Sequence, residues 1–89
     1  MRGFSFRAWP EQGRARLGVF ETPHGVSATP EFMPVGTHGV VHGLSMDEVA
    51  GTGARMILAN AYHLYLRPGD TRVRAFGGLH AFTRWSGPM

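Results

Sequence analysis

The 89-residue sequence contains no cysteine, no lysine and no apolar run long enough to cross a membrane. Without cysteine, disulfides cannot strengthen a small core, and thiolate metal sites and cysteine nucleophiles are excluded. The first five residues also lack the apolar segment of a secretory signal. These absences predict a soluble protein of the cytoplasm with no membrane partner.

All of the positive charge comes from arginine. The sequence has nine arginines and six acidic residues, which gives a net charge of +3. Four of the nine arginines fall within the first sixteen residues. Arginine binds phosphate through two parallel hydrogen bonds, so a nucleic-acid partner is one interpretation. The other is a GC-rich genome, which also accounts for thirteen glycines. An excess of this size does not decide between them.

The first third of the chain has the pattern of short antiparallel strands. Apolar and polar residues alternate with a period of two in the stretches 4–8 and 15–20, and a third short strand is predicted at 26–28. Segments of turn composition separate them at 10–13 and 22–25. We predict a small β meander in residues 1–28.

Residues 29–89 have the pattern of βα units. A short apolar run at 32–36 is followed by a capping box, in which Ser45 and Glu48 bond each other's backbone N–H groups. Met46, Val49 and Ala50 share one face of the helix that follows. The run 56–59 is continuously apolar, as in a parallel strand buried on both faces.

A second helix is predicted at 70–76, with Asp70 as its cap and with Val73 and Phe76 directed inward. Two βα units alone leave a two-stranded parallel sheet with an open edge and exposed apolar faces. The sequence therefore predicts an α/β fold that needs further strands, which the 89 residues do not supply.

The candidate site lies where the two predicted parallel strands end, because functional groups of such folds lie at the carboxyl ends of strands. Val35 and Leu58 are predicted to wall an apolar slot, with Asn60 hydrogen-bonding a ligand. An equally good interpretation is that Asn60 only satisfies loop backbone groups.

No catalytic residue and no metal site is predicted. His38 and His42 would share one face of a helix, but the glycines around them disfavour a helix. His63 is expected to be packed and bonded to backbone, and His24 to be a solvated turn residue. No pair of carboxylates has the spacing of a general acid and base.

Two motifs, Thr29 to Thr37 and Ile57 to Gly69, resemble those of the tRNA-guanine transglycosylases (queuine tRNA-ribosyltransferases). Gly77-Gly78-Leu79-His80 and Trp85 extend the resemblance to about two-thirds of the chain. The resemblance implies a TIM (β/α)8 barrel with a zinc-bearing insertion. This chain would be its N-terminal portion, with the meander in 1–28 and the first two βα units of an incomplete barrel in 29–89.

Enzymes of that family are pentosyltransferases that exchange guanine in tRNA for a 7-deazaguanine base, at the anticodon wobble position in the bacterial type that this chain resembles. By the resemblance, Val35 and Leu58 line the base pocket and Asn60 bonds near the ribose. The partners implied are tRNA, the 7-deazaguanine base and a second subunit of a homodimer. The two catalytic aspartates and the zinc ligands would lie beyond Met89, so this chain would hold no cofactor.

The chain departs from the family pattern at Ala59 and Ala61, where Gly and Thr usually flank the asparagine, and at Ser86 and Gly87, where a charged or amide residue and Arg are usual. We predict an N-terminal fragment of an enzyme of queuosine biosynthesis, inactive alone. The alternative is a small non-catalytic RNA-binding or accessory module of the same descent, which would unfold cooperatively and bind tRNA with strong salt dependence.

Overall fold

The computed structural model describes residues 3–9 and 13–89. Its elements are, in chain order, β1 (Ser5–Ala8), β2 (Gly18–Thr22), β3 (Gly25–Thr29), α1 (Met46–Gly51), α2 (Ala61–Leu66), α3 (Asp70–Ala75) and α4 (Leu79–Thr83). The fold class is α/β. Within the described ranges, no helix has the length and hydropathy that a membrane span requires.

The predicted meander is confirmed as a three-stranded antiparallel sheet in the order β1-β2-β3. Phe6 pairs with Phe20, and Val19 pairs with Ala28. The Thr22 hydroxyl closes the second turn by donating to the Gly25 carbonyl at 3.0 Å. β2 begins at Gly18, later than the alternation at 15–20 predicted, and most of the predicted turn at 10–13 lies outside the described residues.

The two predicted parallel strands are reduced to a single parallel bridge between Val35 and Leu58. The pairing is confirmed, but burial on both faces is wrong. Ile57 is 1% exposed, whereas Leu58 is 44% exposed. The reason is that the segment 56–59 is packed on one side only. The core cluster covers Ile57, and the opposite side, which carries Leu58, is exposed to solvent. The full barrel is not seen in the described residues.

The core is a cluster of Val49, Ile57 and Trp85, with four half-buried side chains against it: Val41, Met46, Ala54 and Met89. The indole N–H of Trp85 donates to the Pro88 carbonyl at 2.9 Å, and the Ile57 N–H donates to the same oxygen at 3.3 Å. On the helix face that Met46, Val49 and Ala50 were predicted to share, Val49 is buried, Met46 is half-buried and Ala50 is exposed.

Helix α3 confirms the predicted helix but corrects two of its details. The N-cap is Gly69, so Asp70 lies inside the first turn and makes no capping bond. Phe76 is 58% exposed rather than directed inward. Its ring packs edge-on against Phe82 with centroids 5.2 Å apart, and this contact replaces burial in the core.

The capping box of α1 is present as predicted, and it carries a pH dependence. The Ser45 N–H donates to Glu48 Oε1 at 2.9 Å, and the Glu48 N–H donates to Ser45 Oγ at 3.1 Å. Donation from the Ser45 backbone N–H, with a smaller contribution from its hydroxyl, lowers the pKa of Glu48 below its usual 4.5. A lowered folded-state pKa means that this stabilisation is complete above pH 4.5 and is lost as the pH falls through the lowered value.

We therefore expect the Ser45 amide proton to titrate with a midpoint below pH 4.5, measured by NMR. Glu48→Gln should remove this titration, because it removes the carboxylate. Asp47→Asn is the matched control in the same helical turn and should leave the titration in place. A midpoint at or above 4.5 would contradict the role of the bond.

Candidate functional site

The candidate site is built where residues 34–37 run beside residues 58–60. The Leu58 N–H donates to the Pro34 carbonyl at 2.9 Å, the Gly36 N–H donates to the Leu58 carbonyl at 2.6 Å, and the Asn60 N–H donates to the Thr37 carbonyl at 3.4 Å. A Cβ at Gly36 would lie 3.3 Å from the Leu58 carbonyl oxygen, so a glycine permits this close approach. Val35 and Leu58 are held as bridge partners.

Both apolar side chains of this site are open to solvent, with Val35 60% and Leu58 44% exposed. Val35 also lines a cavity of about 780 Å³ together with Phe32 and Leu44. Leu58 and Asn60 do not border that cavity. The bridge therefore joins Val35 and Leu58, the two residues predicted to line the apolar slot. The cavity is bordered by Val35 and not by Leu58, so it is not the space between them.

Asn60 is the N-cap of α2, a helix that the sequence analysis did not predict. Its Oδ1 accepts a hydrogen bond from the His63 N–H at 3.1 Å. This is the backbone-satisfying role that the sequence left open as one of two interpretations. The bond occupies the oxygen of the amide and leaves its NH2 group as a donor, so the ligand-binding interpretation stays compatible with the cap.

The carboxylates Glu31 and Glu48 are engaged with backbone. Glu31 Oε1 accepts from the Arg55 N–H at 3.0 Å, and Glu48 closes the capping box. In the part of the chain that the structure describes, no three His, Cys, Asp or Glu side chains are grouped to hold a metal ion. His38 and His42 lie in turns, as the surrounding glycines predicted, and do not share a helix.

Two pairs of histidines were missed by sequence reasoning. His24 lies in the turn between β2 and β3, but its ring stacks on that of His80 at 3.5 Å and 6°. His63 was expected to be packed, yet it is exposed, with its ring edge-on to that of His38 at 5.5 Å. The position of Asn60 directly before the mostly apolar run 61–66 is an N-cap signal, which could have predicted α2 and so the placement of His63. The His24–His80 pair has no comparable local signal.

A family model described as Queuine tRNA-ribosyltransferase matches residues 11–89. The queuine tRNA-ribosyltransferase of Sorangium cellulosum (strain So ce56) is 59% identical over 87 residues, which are 98% of this chain and 22% of that protein. Those of Synechococcus sp. (strain CC9605) and Mesorhizobium japonicum are 53% and 54% identical, over 100% and 97% of this chain. The chain spans about a quarter of the length of these relatives, 24% and 23% for the latter two.

Proposed function

The chain belongs to the queuine tRNA-ribosyltransferase family, and we propose that it forms one wall of the site where such an enzyme exchanges guanine in tRNA for a 7-deazaguanine base. The observation that carries this proposal is the Val35–Leu58 bridge with Asn60 beside it. Two exposed apolar side chains at the ends of adjacent parallel segments suit a flat base, and the Asn60 NH2 group suits a ribose oxygen.

In the proposed reaction an aspartate outside these 89 residues attacks the ribose anomeric carbon. The bond from that carbon to guanine breaks, and a glycosyl-enzyme ester forms. The incoming base then attacks the same carbon and releases the aspartate, while a second aspartate protonates the departing base and deprotonates the incoming one. The residues of this chain hold the base and the ribose and transfer no proton.

The exposed apolar faces support a larger fold around this segment. Phe32 is 80% exposed and Leu44 41% exposed, and apolar surface of this kind marks an interaction site. We propose that it is covered in a (β/α)8 barrel in which 1–28 is the meander and 29–89 the first two βα units. Because the chain belongs to this family, we also propose that the exchange takes place at the anticodon wobble position. We propose in addition that the enzyme is a homodimer and that it acts in the cytoplasm.

The zinc of the family has no fitting set of ligands in residues 3–9 and 13–89. Val35, Leu58 and Asn60 act through apolar contact and hydrogen bonding alone.

We expect the 89-residue chain by itself to show no exchange of labelled guanine into tRNA, because the attacking carboxylate is supplied from outside it. A hybrid, in which this chain replaces the matching 87 residues of the Sorangium cellulosum relative, should restore exchange. The unaltered relative is the control. Exchange by the chain alone would refute the proposal that the attacking aspartate lies outside these 89 residues. A folded but inactive hybrid would refute the proposal that this chain forms one wall of the exchange site.

The non-catalytic RNA-binding module remains the alternative. It would be favoured by a cooperative unfolding transition of the isolated chain together with salt-dependent tRNA affinity.

A further inference from the structure

Three exposed aromatic rings form a continuous row next to Asn60. The ring centroids of His38 and His63 are 5.5 Å apart with an interplanar angle of 77°, and those of His63 and Tyr62 are 6.0 Å apart with an angle of 74°. All three side chains are exposed, and Tyr62 is 67% exposed. We call His38, His63 and Tyr62 the aromatic row.

The backbone holds the aromatic row in place from two sides. The Asn60 cap fixes the first turn of α2, which carries Tyr62 and His63. The turn that carries His38 is fixed by Gly39, which is buried and has a φ of 77°. A Cβ at Gly39 would lie 2.7 Å from Thr83 Cγ2 and 3.9 Å from Leu64 Cδ2. The turn therefore lies directly against α2 and α4.

The geometry of the row leaves aromatic faces open. In an edge-to-face contact only one ring presents its face to the other, so perpendicular rings cover each other incompletely. The parallel rings of His24 and His80, 3.5 Å apart, cover one face of each other instead. Exposed aromatic faces stack unpaired nucleobases. Arg67, at the end of the same helix, adds positive charge for a phosphate.

We propose that the aromatic row binds, by stacking, an unpaired RNA base adjacent to the nucleotide held at Asn60. The inference rests on the proposed function, which supplies RNA as the ligand and Asn60 as the reference point. The ligand is a base of a single-stranded loop rather than of a duplex, because a base must leave its helical stack before its faces can contact these rings.

The test compares two tyrosines of the same helix. Tyr65 is 63% exposed, close to the 67% of Tyr62, but it borders a different cavity, with Leu64, Val73 and Leu79. The probe is a short single-stranded RNA with one guanine and with the fluorescent base 2-aminopurine on either side of it. Tyr62→Leu should weaken binding about 5- to 160-fold, since one stacked base contributes about 1–3 kcal/mol. Tyr62→Phe and Tyr65→Leu should bind like the original chain.

Both the full 89-residue chain and the hybrid enzyme are titrated, with circular dichroism as the check that each variant is folded. NMR adds a readout without substitution, because stacking should shift the ring protons of His38 and His63 upfield. The stacking inference is overturned, and the proposed function is left standing, if Tyr62→Leu and Tyr65→Leu bind the RNA with equal affinity. The same holds if the unsubstituted protein binds the single strand and a duplex of the same sequence equally well. Failure of the folded, unsubstituted hybrid to bind RNA overturns the proposed function as well.

Discussion

Replacing Trp85 by alanine is expected to destabilise the part of the chain that carries the candidate site by about 3–5 kcal/mol. Trp85 is 4% exposed and forms the core cluster with Val49 and Ile57. Its loss leaves a cavity and also removes the hydrogen bond of its indole N–H to the Pro88 carbonyl. Because Ile57 directly precedes Leu58, loss of this cluster also removes the packing that holds the bridge.

Trp9 provides a matched control for this substitution. It is 50% exposed and lies just after β1, so Trp9→Ala should destabilise the chain much less. Trp85→Phe should fall between the two, because it keeps most of the apolar contact and loses a hydrogen bond worth about 1 kcal/mol. Urea unfolding of the hybrid enzyme, followed by circular dichroism, compares all three variants. If Trp9→Ala and Trp85→Ala lose equal stability, the core does not depend on Trp85 in the way described.

In the hybrid enzyme, Asn60→Asp is expected to lower guanine exchange about 10- to 100-fold while leaving the melting temperature nearly unchanged. Aspartate caps a helix as well as asparagine does, so the bond from the His63 N–H is kept. The substitution removes the NH2 donor, and an unmade bond to a buried acceptor costs about 1–3 kcal/mol. It also adds a negative charge, so Asn60→Ser, which caps a helix without a charge, is the neutral check and should lower exchange as well. Asn60→Ala should lose exchange and, in addition, about 1 kcal/mol of stability.

Asn60→Asp and Asn60→Ala separate the interpretations of Asn60 that the sequence left open. If Asn60 only caps α2, Asn60→Asp should exchange guanine at the original rate and Asn60→Ala should differ from it only in stability. Single-turnover measurements with saturating tRNA, together with a thermal melt of each hybrid, give both quantities. Full exchange by Asn60→Asp would therefore contradict the ribose contact.

The features predicted correctly from the sequence are those set by neighbouring residues. The capping box of Ser45 and Glu48, the turn at 22–25 and the helix that begins at Asp70 each depend on residues within a few positions of one another. The N-cap at Asn60 is equally local, and an asparagine directly before the run 61–66 could have predicted it. Local hydrogen bonding is thus the level at which this sequence is most informative.

Burial and ring contacts were predicted less well because they depend on distant segments. Leu58 and Phe76 are apolar and in regular patterns, yet both are exposed, since burial depends on what packs across them. The aromatic row joins His38 to His63 through packing of Gly39 against Leu64, which no spacing in the sequence reveals. The sequence therefore names three candidate residues, Val35, Leu58 and Asn60, but not the surface around them.

The Pro88 carbonyl oxygen accepts from both Trp85 and Ile57, so the core is closed by residues that are synthesised well after Ile57. The sheet β1-β2-β3 pairs strands that follow one another in the sequence, so it can form while synthesis continues. Val49 and Ile57 must wait, uncovered, until Trp85 and Pro88 have been added. Until Trp85 and Pro88 have emerged from the ribosome, the nascent chain presents an apolar segment of the kind that chaperones bind.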